Sequence, residues 1–239
     1  MLNDYIRALE LSERQSFYRG FSTAMLLTVP LVLALLFWKR RTGLKNSLFI
    51  LLIFYLSYCA STFVTPLLSD WSNGMIPGKN LGIAFAVFVP LAALLLKLCR
   101  VPVLEGLDLL IPVFVLGRGI GILGCLFTGC CHGAPVSWGI YSHHAETTVL
   151  PAPLFDTLLS AALSIGLWLN KKRKPGEIAV CTIAGFGLLR YVIDVLRDNE
   201  KAFSLFGTEG LFGIVYFLTG MIFRFLLSHT KSSAANPRN

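Results

Sequence analysis

Seven apolar stretches, near residues 21–38, 47–68, 81–98, 107–127, 154–170, 178–196 and 210–227, take up most of this 239-residue chain. Each is long enough, or nearly so, for a helix to cross the hydrocarbon layer, which takes about 20 residues. Backbone in lipid finds no water to satisfy its amides and carbonyls, so helix is the form that such stretches adopt. Only 14% of residues are charged and 55% are hydrophobic, with a mean hydropathy of +0.68, a balance that excludes an ordinary soluble domain. The expected fold is an all-α polytopic membrane protein of about seven transmembrane helices. Residues 1–230 are expected to form a single transmembrane domain, and residues 231–239 a disordered cytoplasmic tail. The first twenty residues, with Asp4, Arg7, Glu10, Glu13 and Arg14, are too polar for a secretory leader and are expected to form a helix on the outer surface.

The net charge of +8 is a topology signal, and no nucleic-acid partner is expected. Lys39, Arg40, Arg41, Lys45, Lys97, Arg100, Lys171, Lys172, Arg173, Lys174, Arg224, Lys231 and Arg238 fall on one side of the membrane. The other side holds Arg7, Arg14, Arg19, Lys79, Arg197 and Lys201. The positive-inside rule then places the N-terminus outside and the C-terminus in the cytoplasm. The longer outer loops, near 69–80, 128–153 and 197–209, carry Trp71, Pro77, Pro135, Trp138 and Tyr141. Tryptophan and tyrosine favour the membrane interface, so chemistry is expected on the outer side. No internal repeat is visible, which argues against a transporter built from paired halves.

Residues 117–133 read GRGIGILGCLFTGCCHG, six glycines around the lone Arg118. Glycine lets a neighbouring helix or a ligand come close. An arginine at that depth costs about 2.5–3.5 kcal/mol on insertion scales, so it faces a partner or a wet cavity. A second charged group, Arg190, Asp194 and Arg197, has spacing i, i+4, i+7 and shares one helical face. Two readings stay open. In one, Arg190 pairs with Asp194 and the surplus positive charge, with Arg118, holds a phosphate through forked guanidinium donors. In the other, the pair is structural, Arg197 snorkels outward and Arg118 neutralises a neighbouring carboxylate. Cys125, Cys130, Cys131 and His132 form C-x4-C-C-H, which matches neither the usual zinc spacings nor C-x-x-C, so no metal and no cofactor are expected. His143 and His144 are expected to be solvated in the outer loop.

These residues together resemble the bacterial prolipoprotein diacylglyceryl transferase family, over most of the chain. Against its signature G-R-x-G-N-F-x-N-G-E-x-x-G, the glycines Gly121, Gly124, Gly129 and Gly133 match. Asp108 and Pro112 fit the D-x-x-x-P that precedes it. Ile122 stands at the family arginine, Cys125 and Thr128 at its asparagines, and Cys130 at its glutamate. Arg190 to Arg197 match R-x-x-x-E-x-x-R, with Asp194 as the acid. The stretch from Pro151 to Asp156 is similar to H-P-x-Q-L-Y-E, with Leu150 and Pro153 replacing the histidine and glutamine. Tyr18 stands where the family has a tyrosine before its first span, and Ser61 where an arginine is usual.

The resemblance implies a multi-pass protein of the bacterial inner membrane with its active site facing the outer leaflet. It implies a reaction that moves the diacylglyceryl unit of phosphatidylglycerol onto the lipobox cysteine of a secreted prolipoprotein. Arg190 and Arg118 would then hold the phosphate, with Asp194 orienting Arg190, as catalytic residues. Arg197, Cys125, Gly124, Gly129, Gly133, Asp156 and Tyr18 would contact substrate, and His132, His143 and Asp156 are the candidates for a base. The missing signature arginine and histidines raise the alternative of a catalytically altered relative that binds anionic phospholipid or transfers another group.

Overall fold

The computed structural model describes residues 2–40, 44–71, 81–129, 131–169, 174–196 and 208–234. Along the chain run α1 (Leu2–Ala8), α2 (Leu11–Arg40), α3 (Leu44–Trp71), α4 (Leu81–Leu98), α5 (Val103–Ile122), α6 (Gly124–Thr128), β1 (Pro135–Ser142), β2 (Thr147–Val149), α7 (Ala152–Leu169), α8 (Glu177–Leu196) and α9 (Thr208–Ala234). Six described segments are long and apolar enough to cross a membrane: Leu11–Ala34, Asn46–Leu67, Val103–Thr128, Ala152–Leu169, Glu177–Leu196 and Gly210–Leu227. The third expected span, Gly82–Leu98, is a shorter apolar helix.

The structure corrects several expectations. The first spanning helix begins at Leu11, so only α1 stands apart as a separate N-terminal helix. The outer loop expected near 128–153 holds a small antiparallel hairpin, with Tyr141 opposite Thr148 and Ser142 opposite Thr147. Among the described residues the fold is therefore helical with one β-hairpin. The fourth span breaks at Leu123, whose amide reaches back three residues to the Ile120 carbonyl at 3.2 Å. The short α6 then ends at Gly129, held at φ +72°, the left-handed conformation in which glycine is at ease. At the other end of the chain, α9 continues to Ala234, past the expected boundary at residue 230.

Helix α5 is the centre of the bundle, packed against α2, α4, α7 and α8. Around it lies an aromatic core. Phe88 and Phe114 have ring centroids 4.5 Å apart, Phe85 and Phe186 4.8 Å, and Phe85 and Tyr216 5.2 Å. Lipid tails are as apolar as these rings, so burial alone gives such helices little reason to associate. Close backbone contact and polar bonds supply it. The most intimate pair is α8 with α9, where a Cβ at Gly187 would lie 2.5 Å from the Gly213 carbonyl oxygen and 2.5 Å from the Phe217 nitrogen.

The hairpin caps one end of the bundle and is strapped to α1. Asn3 acts as a substitute strand: its Nδ2 donates to the Gly139 carbonyl at 3.1 Å, and its Oδ1 accepts from the Tyr141 amide at 3.1 Å. His143 Nε2 hydrogen-bonds the Ile6 carbonyl at 2.6 Å, and Arg7 sits 4.5 Å over the Tyr141 ring. The solvated histidine expected at 143 is thus half-buried and bonded, whereas His144 is exposed.

Close packing of α8 on α9 predicts a sharp steric response. Gly187→Ala drives a methyl into backbone and should cost about 1–3 kcal/mol, the usual cost of overpacking. Gly166→Ala, where a Cβ meets nothing within 4 Å, should leave stability unchanged or slightly improved. Thermal unfolding midpoints in detergent check the pair.

Candidate functional site

Helix α7 opens with Pro151 before its first residue and Pro153 within its first turn, positions where proline costs no hydrogen bond. One turn further, Asp156 points into the bundle and is fully buried, at 0% exposure. A carboxylate there needs partners, and two helices provide them. Arg118 of α5 grips it fork to fork, Nη1 on Oδ1 and Nη2 on Oδ2, the second bond at 2.5 Å. Arg190 of α8 donates from Nη1 to Oδ2 at 3.2 Å. Ser160, one turn along α7, donates to Oδ1 at 3.4 Å. Arg190 is 3% exposed and the Arg118 side chain 10%, so the whole cluster is screened from solvent.

The surroundings explain how such a cluster is held. The Arg118 guanidinium lies 5.8 Å from the Phe186 ring centroid, over its face, a cation–π contact that is strongest when desolvated. Thr157 donates to the Gly119 carbonyl at 2.6 Å, fastening α7 to α5 beside Arg118. Gly119 makes room for this: a Cβ there would lie 2.9 Å from Ser160 Cβ. Asp156, Ser160 and Ser164 follow one another every four residues and are all fully buried, forming one polar stripe toward α5. Ser164 closes the stripe by donating to the Pro112 carbonyl at 3.0 Å.

The guanidiniums expected to converge do converge, but on a different acid. Asp194 was expected to pair with Arg190. Instead its Oδ2 accepts from the Gly210 amide at 3.0 Å, satisfying a donor in the first turn of α9. Arg190 leaves its own helix for Asp156, which doubly cationic company suits better. Arg197 and Cys130 lie outside the described residues.

The remaining described candidates lie against neighbouring backbone and beneath the hairpin. Gly124 admits the α2 backbone, its absent Cβ falling 2.9 Å from Tyr18 Cα. At Gly129 a Cβ would meet Ser142 Oγ at 2.8 Å, and at Gly133 the Leu196 carbonyl oxygen at 2.7 Å. Gly129 thus lies against the hairpin and Gly133 against the end of α8. Cys125 is buried and, with Gly129, His132, Tyr141 and Pro153, lines a small cavity beneath the hairpin. His132 Nδ1 lies 3.1 Å from the Gly133 carbonyl oxygen. An open concavity of about 590 Å³ runs along α2 beside Ser12, Ser16, Phe17, Gly20 and Phe21, and none of the charged trio lines it.

Ser160, Thr157 and Phe186 were missed from sequence. The four-residue recurrence of polar side chains in an otherwise apolar helix was the available signal for Ser160; nothing local marked the other two.

Comparison with known proteins identifies the family of the chain. The family model described as prolipoprotein diacylglyceryl transferase matches residues 32–226, a range that contains all three charged residues. A protein of Clostridium tetani named phosphatidylglycerol–prolipoprotein diacylglyceryl transferase is 28% identical over 169 residues, 65% of each chain. A Clostridium perfringens protein of the same name, numbered 2, is 25% identical over 176 residues, covering 65% of this chain and 69% of that one. A Dehalococcoides mccartyi protein, again of that name, is 31% identical over 104 residues, 39% of this chain and 40% of its own length. The first two matches thus span about two thirds of each relative. With the family model covering most of the chain and the paired arginines within it, the protein belongs to the prolipoprotein diacylglyceryl transferase family.

Proposed function

We propose that this chain transfers the diacylglyceryl group of phosphatidylglycerol to the cysteine thiol of a prolipoprotein, at the outer leaflet of a bacterial inner membrane. The observation that carries this reading is the meeting of Arg118 and Arg190, from separate apolar helices, on the buried carboxylate of Asp156. Those three side chains sum to a charge of +1, which the single negative charge of a phosphodiester neutralises. Each guanidinium has five N–H donors, so phosphate oxygens can be bound while Asp156 keeps its hold.

In the reaction the cysteine sulfur bonds to the glycerol carbon that carries the phosphate. The carbon–oxygen bond breaks, its electron pair leaves on the phosphate oxygen, and the thiol proton ends on the released glycerol phosphate. Charge therefore grows on the leaving phosphate, and preorganised cationic donors in a dry site stabilise that growth. Asp156 takes the orienting role that the sequence suggested for Asp194. It is held by both guanidiniums and by Ser160, which makes it a positioner of the arginines. Arg197, at the expected outer end of α8, would draw the anionic headgroup toward the site.

Two measurements test the reading. Arg190→Ala should lower thioether formation on a lipobox peptide by at least ~10²-fold, on the scale of losing one charge-stabilising donor, while the protein still inserts. Unchanged product would remove the assigned role, and protein that retains phosphatidylglycerol while lipidating no peptide at all would identify a lipid-binding relative. Asp156→Ala leaves two guanidiniums facing each other without their shared anion, a loss of about 3–5 kcal/mol for a broken buried pair. Its unfolding midpoint in detergent should fall well below that of Asp156→Glu.

A further inference from the structure

At the end of the bundle opposite the hairpin, a second carboxylate joins the same two helices. Asp108, in the second turn of α5, is 4% exposed. Its Oδ2 accepts from the Gly176 amide at 2.8 Å and its Oδ1 from the Ala179 amide at 2.7 Å. Both amides belong to the start of α8, where the first N–H groups of a helix lack partners within it. One helix thus caps another, and the helix dipole favours the negative charge there. The local chain is shaped for this contact: Gly176 sits at φ +86°, and Glu177 Oε2 accepts from the Lys174 amide at 3.2 Å.

The geometry points to Asp108 as a positioning residue that sets the height of Arg190 against Arg118. Arg118 lies ten residues beyond Asp108 on α5, and Arg190 eleven residues beyond Ala179 on α8. At 1.5 Å per residue these are arms of roughly 15 and 16.5 Å. Nearly equal arms, pinned together at the Asp108 end, bring both guanidiniums to one level, where Asp156 receives them. A slip of α8 by one residue moves Arg190 about 1.5 Å along the axis, and misplacements near 1 Å are enough to cost about 10²-fold in rate.

The inference rests on the proposed role of Arg190, and the test separates the two. Thioether formation is measured for Asp108→Ala, Arg190→Lys and the double variant, at equal amounts of folded, membrane-inserted protein. Asp108→Ala should lose ten- to a hundredfold in the wild-type background and less than threefold in the Arg190→Lys background, whose residual activity no longer depends on a placed fork. Asp108→Asn, which keeps the volume and one acceptor oxygen, should fall between wild type and Asp108→Ala. Where Asp108→Ala does not accumulate, Asp108→Asn carries the same comparison. Equal losses in both backgrounds, or a loss that merely follows the amount of folded protein, would overturn the positioning role while leaving Arg190 in place. Full activity of Arg190→Ala would instead overturn the role of Arg190 itself.

Discussion

A single carboxylate, Asp156, reconciles two arginines with a low-dielectric interior, and the arrangement of α5, α7 and α8 follows from that need. An unpaired guanidinium at this depth is costly, and two facing each other more so. Asp156 offers each a charge-assisted bond, the first bidentate through Arg118 and the second at 3.2 Å through Arg190. Three helices that share no hydrophobic reason to associate within lipid are thereby tied at one point. The glycines and hydroxyls around that point are what allow it. Gly119 lets Ser160 approach, and Thr157 binds the Gly119 carbonyl, so α7 comes near enough for its short aspartate to reach both arginines.

The same logic recurs away from the cluster. Asp108 caps α8 from α5, and Asp194 satisfies an amide of α9 from α8. Each spends a carboxylate on backbone donors of the next helix. In water such donors would find solvent; in a bilayer each unsatisfied amide costs several kcal/mol. Acidic side chains are therefore placed where a helix begins, and the succession α5 to α8 to α9 is stitched by carboxylate-to-amide bonds in addition to packing.

Much of the helical framework was legible in the sequence because hydropathy and span length act locally. Arg190 and Asp194 stand one turn apart, and spacing arithmetic pairs them. It cannot weigh a distant Asp156 that offers a buried site against a nearby acid drawn away by the Gly210 amide. The β-hairpin was missed for a related reason. Its strands, VSWGIYS and TTV within Pro135–Ser142 and Thr147–Val149, do have aromatic and β-branched residues, but proline and glycine nearby read as loop. They are held as strands by pairing with each other and, for β1, by the edge support of Asn3, more than a hundred residues earlier. The convergence of Arg118 with Arg190 was foreseen because each was costly where it stood, and cost is a property that sequence does reveal.

Ile122 stands where the family arginine is expected, and Arg118 one turn earlier. One helical turn is about 5.4 Å of rise, less than the reach of an arginine side chain, and both positions share a face of α5. The root of Arg118 therefore lies within an arginine's reach of the level of Ile122. The two positions differ in what surrounds that root. At position 118 the side chain passes over Phe186 and is bracketed by Gly117 and Gly119, so it is buried and oriented by an aromatic face. At position 122 it would start beside Leu123, where α5 gives way to the short α6. An arginine seated in continuous helix has a fixed origin for its fork, and Asp156 receives that fork in bidentate register. Arg118 thus holds its charge from within α5, on the carboxylate of Asp156.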